Sequence, residues 1–421
     1  MRVLCLLALW PGLSLGEPLT RGEAVNRALA RNPELAAARA RIGASEAEVV
    51  GAARLLRANP TVEGEYGDDR AFGDHGEYRA GVALSQELEL GGQRGLRRAA
   101  AGARLDEARA RVRAFELGVA RDAADAWLAL WRAERMRALA AQTVELDAGL
   151  ARIAEARFAA GDISEVERNV VALDVARAQA DAQAAEGEHR RAQAQLARII
   201  ASDAGDALEG AGDALEAAGE PPAPIAVEAP AKFVGAGVRA AERAHEAARG
   251  ELRLQRRELV PSPTVTFGWQ REQLFVESTA PPPLRLAHQA DVLVGRLSLP
   301  LPIWDRRQAE VRAAQAAVDE TRAERSAAEL SQRADVAMAR ASLDGARKSA
   351  ELYRAALPRA ERNLELLGRA YQAGQISLAE LIAAKDRALA VRRETVETQV
   401  AYARAYHELM RATGRLPTEQ P

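Results

Sequence analysis

The stretches Phe158-Ala-Ala-Gly-Asp-Ile-Ser164 and Tyr371-Gln-Ala-Gly-Gln-Ile-Ser377 decide the fold. They share the pattern aromatic-x-Ala-Gly-x-Ile-Ser, and their glycines lie 213 residues apart (374 − 161). Each stands between two long segments rich in alanine, arginine and glutamate that contain little to break a helix. A glycine tolerates the positive φ with which helices commonly end, and serine is favoured where the next one begins. The chain therefore carries the same helical hairpin twice.

Working outward from the first turn, the preceding helix is predicted from Arg94 to about Phe158. That is about 65 residues, or roughly 100 Å at 1.5 Å per residue. Leu139, Thr143, Leu146, Leu150 and Ile153 recur at alternating spacings of 4 and 3, a coiled-coil seam. Ile163, Val166, Val170 and Leu173 are expected to continue it on a returning helix that runs to about Ile200. Before the second turn the seam is Leu343, Ala346, Ala350, Tyr353, Leu357, Ala360, Leu364, Leu367 and Tyr371, on a helix from Arg306 that Pro358 is expected to kink. The last helix runs from Leu378 to about Thr413 and stops at Gly414.

At the far end of each long helix the period changes from helical to 2. A helical stretch from Thr20, divided at Asn32-Pro33, ends at Asn59-Pro60. Val62, Gly64 and Tyr66 then alternate with Thr61, Glu63 and Glu65. After a polar loop, Tyr78, Ala80, Val82, Leu84, Leu88 and Leu90 share a face opposite Arg79, Ser85, Glu87 and Glu89. The second copy repeats this: a helix from Phe233 to Glu258, the break Pro261-Ser-Pro263, and alternation of Val265, Phe267 and Trp269 with Thr264, Thr266 and Gln270. A loop with Pro281-Pro-Pro283 leads to Leu293, Leu297, Leu299 and Leu301 on one face. Strands are thus expected at about 60–67, 78–90, 263–271 and 290–301. Four strands are too few to close a barrel, and unpaired strand edges are not tolerated in lipid. Three copies would supply twelve strands, an even number within the outer-membrane range.

Composition agrees with extended helices rather than a thick core: 48% hydrophobic, only 4% aromatic and 28% charged. A formal net charge of −2 argues against nucleic acid as a partner. Residues 1–16, with Arg2, a short apolar run and Gly16 at the end, read as a signal peptide. Its removal would take away Cys5, the only cysteine. The remaining domains are expected at 17–200 (first repeat), 201–231 (an acidic connector with no basic residue), 232–414 (second repeat) and 415–421 (tail). Beyond the signal no apolar run is long enough for a transmembrane helix.

With these duplicated units in view, the chain resembles the TolC-type outer-membrane efflux factor family over essentially its whole mature length. Leu84-Ser-Gln-Glu-Leu-Glu-Leu-Gly-Gly-Gln-Arg94 and Leu299-Pro-Leu-Pro-Ile-Trp-Asp-Arg-Arg307 are most similar to its heavy-metal (cobalt-zinc-cadmium) cation efflux branch. The resemblance implies a mainly α fold with a small membrane β part. Long α-helical hairpins would form a trimeric α-barrel, continued by a twelve-stranded transmembrane β-barrel with four strands per protomer. It implies a passive duct in the cell outer membrane with a long periplasmic extension, contacting lipid. The homotrimer would dock on a periplasmic adaptor (membrane fusion) protein and an inner-membrane pump of the resistance-nodulation-division type. It also implies that the turns Gly161, Asp162, Ile163, Ser164 and Gly374, Gln375, Ile376, Ser377 touch the adaptor, and that acids just beyond the turns ring a pore constriction. Those acids are Glu380 and, by 380 − 213, Glu167. The family's second acid, three residues on, falls on Ala383. A solvated helix face is the alternative role for Glu380.

No catalytic constellation, cofactor or metal site is expected. His245-Glu246 and His407-Glu408 begin a zinc-protease motif, but Arg249 and Arg411 stand where its second histidine must be. His75 with Asp68, Asp69 and Asp74 reads as a solvated loop, and Gly91-Gly92-Gln-Arg-Gly95 lacks the lysine and spacing of a phosphate loop. Ducts for drugs or for secreted proteins share this pattern. A periplasmic coiled-coil adaptor or scaffold is the other class with long helical hairpins, but it has no use for strands that alternate apolar and polar residues.

Overall fold

Two strand pairs come together in one antiparallel sheet, a short parallel pair forms a second, and the rest of the described residues are helix or connection. A computed structural model describes residues 17–69, 71, 76–200, 215–226, 234–277 and 285–418. The signal segment with Cys5, the loop residues Asp74 and His75, most of the acidic connector, Pro281–Pro283 and the last three residues lie outside the described residues. The elements are β1 (Glu17–Thr20), α1 (Arg21–Arg31), α2 (Pro33–Ala52), β2 (Thr61–Asp68), β3 (Tyr78–Glu87), α3 (Gln93–Ala159) and α4 (Glu165–Ile200). They continue as β4 (Leu215–Ala218), α5 (Ala236–Arg257), β5 (Thr264–Glu277), β6 (Arg285–Ser298), α6 (Gln308–Gln372) and α7 (Leu378–Ala412). Helix α6 continues through Pro358 as one element.

The chain divides into two compact units that cut across the repeats. One comprises Arg41–Ala110 and Ala240–Ala327; the other comprises Met1–Ala40, Arg111–Arg239 and Ala328–Pro421.

The first unit holds the four-stranded sheet, in the order β2-β3-β5-β6. Its register aligns Val62, Leu84, Phe267 and Gly295 in one row and Gly64, Val82, Trp269 and Leu293 in the next. Period 2 sends these rows to one face, where Val62, Leu84, Phe267 and Leu293 are all solvent-exposed. The opposite face is polar: Ser85 Oγ lies 2.9 Å from Thr266 Oγ1, and Arg79 pairs with Glu272 at 2.7 Å. Gly81 and Gly268 let β3 and β5 approach closely. A Cβ on Gly81 would lie 2.9 Å from Gln270 Cγ, and one on Gly268 would lie 3.1 Å from the Val82 carbonyl oxygen. The second hairpin runs farther toward its loop than its apolar alternation indicates, since past Arg271 and Asp291 the ladder continues with polar pairs such as Gln273 and Gln289. Helix α2 stops at Ala52, short of Asn59-Pro60. The Arg94 guanidinium donates to the Ala53 carbonyl oxygen at 3.0 Å and so closes the chain end there. Below the sheet α5 packs on α6 through Leu252, Ala314 and Val318.

The second unit contains the main core, where α1, α3, α4, α7 and the two-stranded parallel pair β1-β4 meet around Trp127, Leu128, Leu130 and Leu196. The Trp127 indole N–H donates to the Leu19 carbonyl at 2.7 Å. Tyr402 clamps the connector, donating to the Ile225 carbonyl at 2.9 Å and accepting its N–H at 3.3 Å. The seam expected before the second turn is buried or half-buried along its length, from Leu343 to Tyr371. The seam expected on α4 is not: Val166 and Leu173 are 71% and 70% exposed, and Val170 is exposed as well. The intrachain contact instead uses Val171 and Ala178, a face rotated by one residue. Periodicity identified an apolar stripe on α4 but not its partner.

Candidate functional site: the paired helical tips

Both turns close in the same way. At the first, the Asp162 N–H reaches the Arg157 carbonyl at 2.9 Å and the Gly161 N–H reaches that of Phe158 at 3.0 Å. At the second, Gln375 reaches Ala370 at 2.9 Å and Gly374 reaches Tyr371 at 3.0 Å. This pair of bonds is the Schellman closure, which requires a left-handed residue. Gly161 and Gly374 supply it at φ +80° and +72°.

The serines then open the returning helices. Ser164 Oγ accepts the Glu167 N–H at 3.2 Å, while Glu167 Oε2 accepts the Ser164 N–H at 2.8 Å and its hydroxyl at 2.9 Å. Ser377 and Glu380 repeat this at 3.3, 2.8 and 2.9 Å. Glu167 and Glu380 are therefore the acidic members of two capping boxes. The Ser-x-x-Glu spacing at 164–167 and 377–380 is the sequence signature of that role. In each, the bonds from the serine N–H and then its hydroxyl hold the carboxyl below its usual pKa, so both glutamates are ionised at neutral pH.

The tips differ in what surrounds this shared frame. Tyr371, Leu378 and Leu381 of the second tip are buried with Ala154 and Val171 of the first hairpin. The Arg157 guanidinium lies 4.8 Å from the centre of the Tyr371 ring. At the matching positions of the first tip stand Phe158, Glu165 and Arg168, the last lying over the Phe158 ring at 4.4 Å and pairing with Glu165 at 3.3 Å. Gly161, Asp162, Ser164, Gly374, Gln375 and Ser377 are exposed, whereas Ile163 and Ile376 are half-buried against the cluster.

Eight residues beyond Ser377, Lys385 Nζ lies 2.7 Å from Asp147 Oδ1 and 3.5 Å from Asp174 Oδ2. The Lys385 and Asp147 side chains are only 5% and 4% exposed, so an ion pair ties α7 to α3 and α4 from inside. It borders a charged groove of about 630 Å³ that continues past Arg177, Asp181 and Glu188 to the Arg132–Glu397 pair. Periodicity missed Lys385, although it is one of three lysines in an arginine-rich chain. His407 is buried with Nδ1 2.8 Å from Asp125 Oδ1, a structural contact, and among the described residues no acidic, histidine or cysteine cluster could hold a metal ion. Among the same residues no helix is long and apolar enough to cross a membrane.

The structure thus combines a duplicated hairpin with capped tips and a sheet with one apolar, exposed face. The chain belongs to the outer membrane efflux protein family, whose sequence pattern matches residues 24–202 and 236–415. A search of curated proteins finds no match. In fold it is similar to CusC, crystallised in a study of folding and transmembrane channel formation, with 17% identity, a TM-score of 0.75, and coverage of 97% of this chain and 96% of that one. It is likewise similar to a membrane protein from Pseudomonas aeruginosa (21% identity, TM-score 0.76, 96% and 94% covered). A third similar structure is the Campylobacter jejuni CmeC outer membrane channel (15% identity, TM-score 0.72, 95% and 87% covered).

Proposed function

We propose that the chain is the outer-membrane channel component of a tripartite efflux pump, a passive homotrimeric duct rather than an enzyme. The observation that carries this reading is the sheet. One face is apolar and exposed across all four strands, and among the described residues neither β2 nor β6 has a partner on its outer edge. An apolar face fits lipid, but open edges do not, so strands from further copies close the barrel. β2 and β6 run in opposite directions, as joining copies edge to edge in an antiparallel barrel requires. The exposed stripe Val166, Val170 and Leu173 is the kind of surface that a neighbouring copy covers.

In this reading the two tips of each copy form the periplasmic end of the duct and meet the hairpins of an adaptor protein, behind which stands an inner-membrane pump of the resistance-nodulation-division type. Glu380 and Glu167 supply fixed negative charge near the constriction. Their capping bonds engage Oε2, leaving Oε1 to face a passing cation. Heavy-metal cations are the proposed cargo, on the resemblance of the segments 84–94 and 299–307 to the metal branch. The test is fractionation with chemical crosslinking, paired with a deletion strain. The protein is expected in the outer membrane as a trimer, and its loss should sensitise cells to zinc, cobalt or cadmium more than to dyes. A monomer confined to the soluble periplasm would remove the duct reading; sensitivity to dyes alone would remove the metal cargo.

A further inference from the structure

The two strand pairs leave the sheet differently. After β6 the chain reads Leu299-Pro-Leu-Pro-Ile-Trp304, and Leu299, Leu301, Ile303 and Trp304 are all exposed, Trp304 at 86%. At the matching positions, from the end of β3 onward (299 − 213 = 86 and 304 − 213 = 91), stand Gln86, Leu88, Leu90 and Gly91. That first exit is tied down. The Leu88 N–H donates to the Pro263 carbonyl at 2.8 Å, Glu89 pairs with Arg97, and Gln93 donates to the Val260 carbonyl at 3.1 Å. Only Leu90 of its apolar residues is exposed.

The second exit is also low in backbone polarity. Pro300 and Pro302 have no N–H, and the Ile303 N–H is bonded to the Leu301 carbonyl at 2.9 Å. Such a segment can leave water without stranding many donors. Immediately afterwards the character reverses: the Arg307 N–H donates to Asp305 Oδ1 at 2.8 Å, the Arg306 N–H to Gln308 Oε1 at 2.8 Å, and the Arg307 side chain pairs with Glu258.

We infer that Leu299, Leu301, Ile303 and Trp304 form a wedge that inserts into the periplasmic leaflet of the bilayer beyond the last hydrogen-bonded strand residue. This rests on the outer-membrane reading above. The wedge continues the apolar face of β6, on which Leu293 and Leu297 are 85% and 70% exposed. The upper limit of that face is the row in which Arg271 and Asp291 make a two-point ion pair at 2.8 and 3.0 Å. From that row to Leu301 is ten residues (301 − 291), about 33 Å along an extended chain and about 25 Å once tilted, the usual height of a lipid-facing band. Ending the band at Ser298 would make it shorter than the hydrocarbon it must span. Trp304, apolar with one N–H, and the exposed Arg306 beside it suit the headgroup level. Because only the second repeat carries the wedge, a trimer would hold the leaflet at three points rather than by an even ring.

Single cysteines test this. Leu293→Cys, Leu301→Cys, Trp304→Cys and Glu310→Cys, each with Cys5→Ser, would be spin-labelled on the full chain in phosphatidylethanolamine–phosphatidylglycerol vesicles. Collision with oxygen is then compared with collision with a water-soluble nickel chelate. Position 301 is expected to show an oxygen-to-nickel ratio several-fold above that of 310 and close to that of 293, with 304 between 301 and 310. If 301 and 304 behave like 310 while 293 remains oxygen-rich, the wedge is wrong and the duct stands. If 293 is also nickel-rich, the membrane reading fails and the wedge with it. Exclusion of both reagents at 304 means that protein covers it, which also overturns the proposal.

Discussion

The first and second tips share a backbone and differ in their side chains. Both have a left-handed glycine, the same pair of closing bonds and the same serine–glutamate box. Yet Leu378 and Leu381 bury the second tip against the first hairpin, whereas Glu165 and Arg168 leave the first tip polar. Duplication thus preserved what a helical turn requires of its backbone, and the freedom left over made one tip an anchor and the other a presented surface. The sheet exits repeat the lesson at the other ends of α3 and α6, with one exit tied down and the other apolar and exposed.

The comparison is broken most severely at Lys385, whose counterparts in the first repeat and whose acidic partners' counterparts in the second are Ala172, Ala360 and Arg387 (385 − 213, 147 + 213, 174 + 213). The ion pair therefore belongs to one interface only. Lys385→Met leaves Asp147 buried without its cation and is expected to cost about 3–5 kcal/mol. Amide exchange of α7 beyond the tip should quicken accordingly. Unchanged exchange would mean that water reaches Asp147 and replaces the lysine as its partner.

Next in size is the anchor itself. Leu381→Ala should cost about 2–4 kcal/mol of tip stability as a buried truncation, while Arg168→Ala at the matching position should cost at most about 1 kcal/mol. Limited proteolysis at the two turns reads the difference. Equal sensitivity would erase the distinction between anchor and presented surface.

The smallest effect is one that the tips share. Ser164→Ala and Ser377→Ala each remove a cap worth about 1 kcal/mol. The pH dependence has a definite sign. Both glutamates have folded pKa values below the unfolded value, so their contribution is complete above the unfolded pKa and is lost as pH falls through the folded one. Tip exchange rates, corrected for intrinsic chemistry, should rise on acidification in the wild type and less so in the serine variants.

Much of this was legible beforehand. Gly161 and Gly374 were identifiable because a turn between long helices needs positive φ, and the strands because period 2 follows directly from the pleat. The seam from Leu343 to Tyr371 was readable for the same reason, since one face of a long helix must be covered. The α4 stripe is the exception. The stripe at Val166, Val170 and Leu173 is genuine, but a heptad pattern does not say whether its partner is the same chain or another. Glu167 and Glu380 stand out in the sequence for their charge, and their local bonds show that each also caps the start of a helix, a role that the Ser-x-x-Glu spacing carries.

By itself the sequence determined the elements: two copies of a helical hairpin, two strand pairs and the glycine turns, each dictated by local dihedral preference and by a repeat of 2 or about 3.5 residues. Only the tertiary structure decided which surfaces are spent within the chain and which remain open. It joined the two strand pairs through β3 and β5 into one sheet, buried Lys385 between two aspartates, and left the α4 stripe and the Leu299–Trp304 segment exposed. The physical reason is that periodicity reports how a residue faces relative to its own axis, whereas burial depends on what lies across from it, often some 200 residues away in the chain.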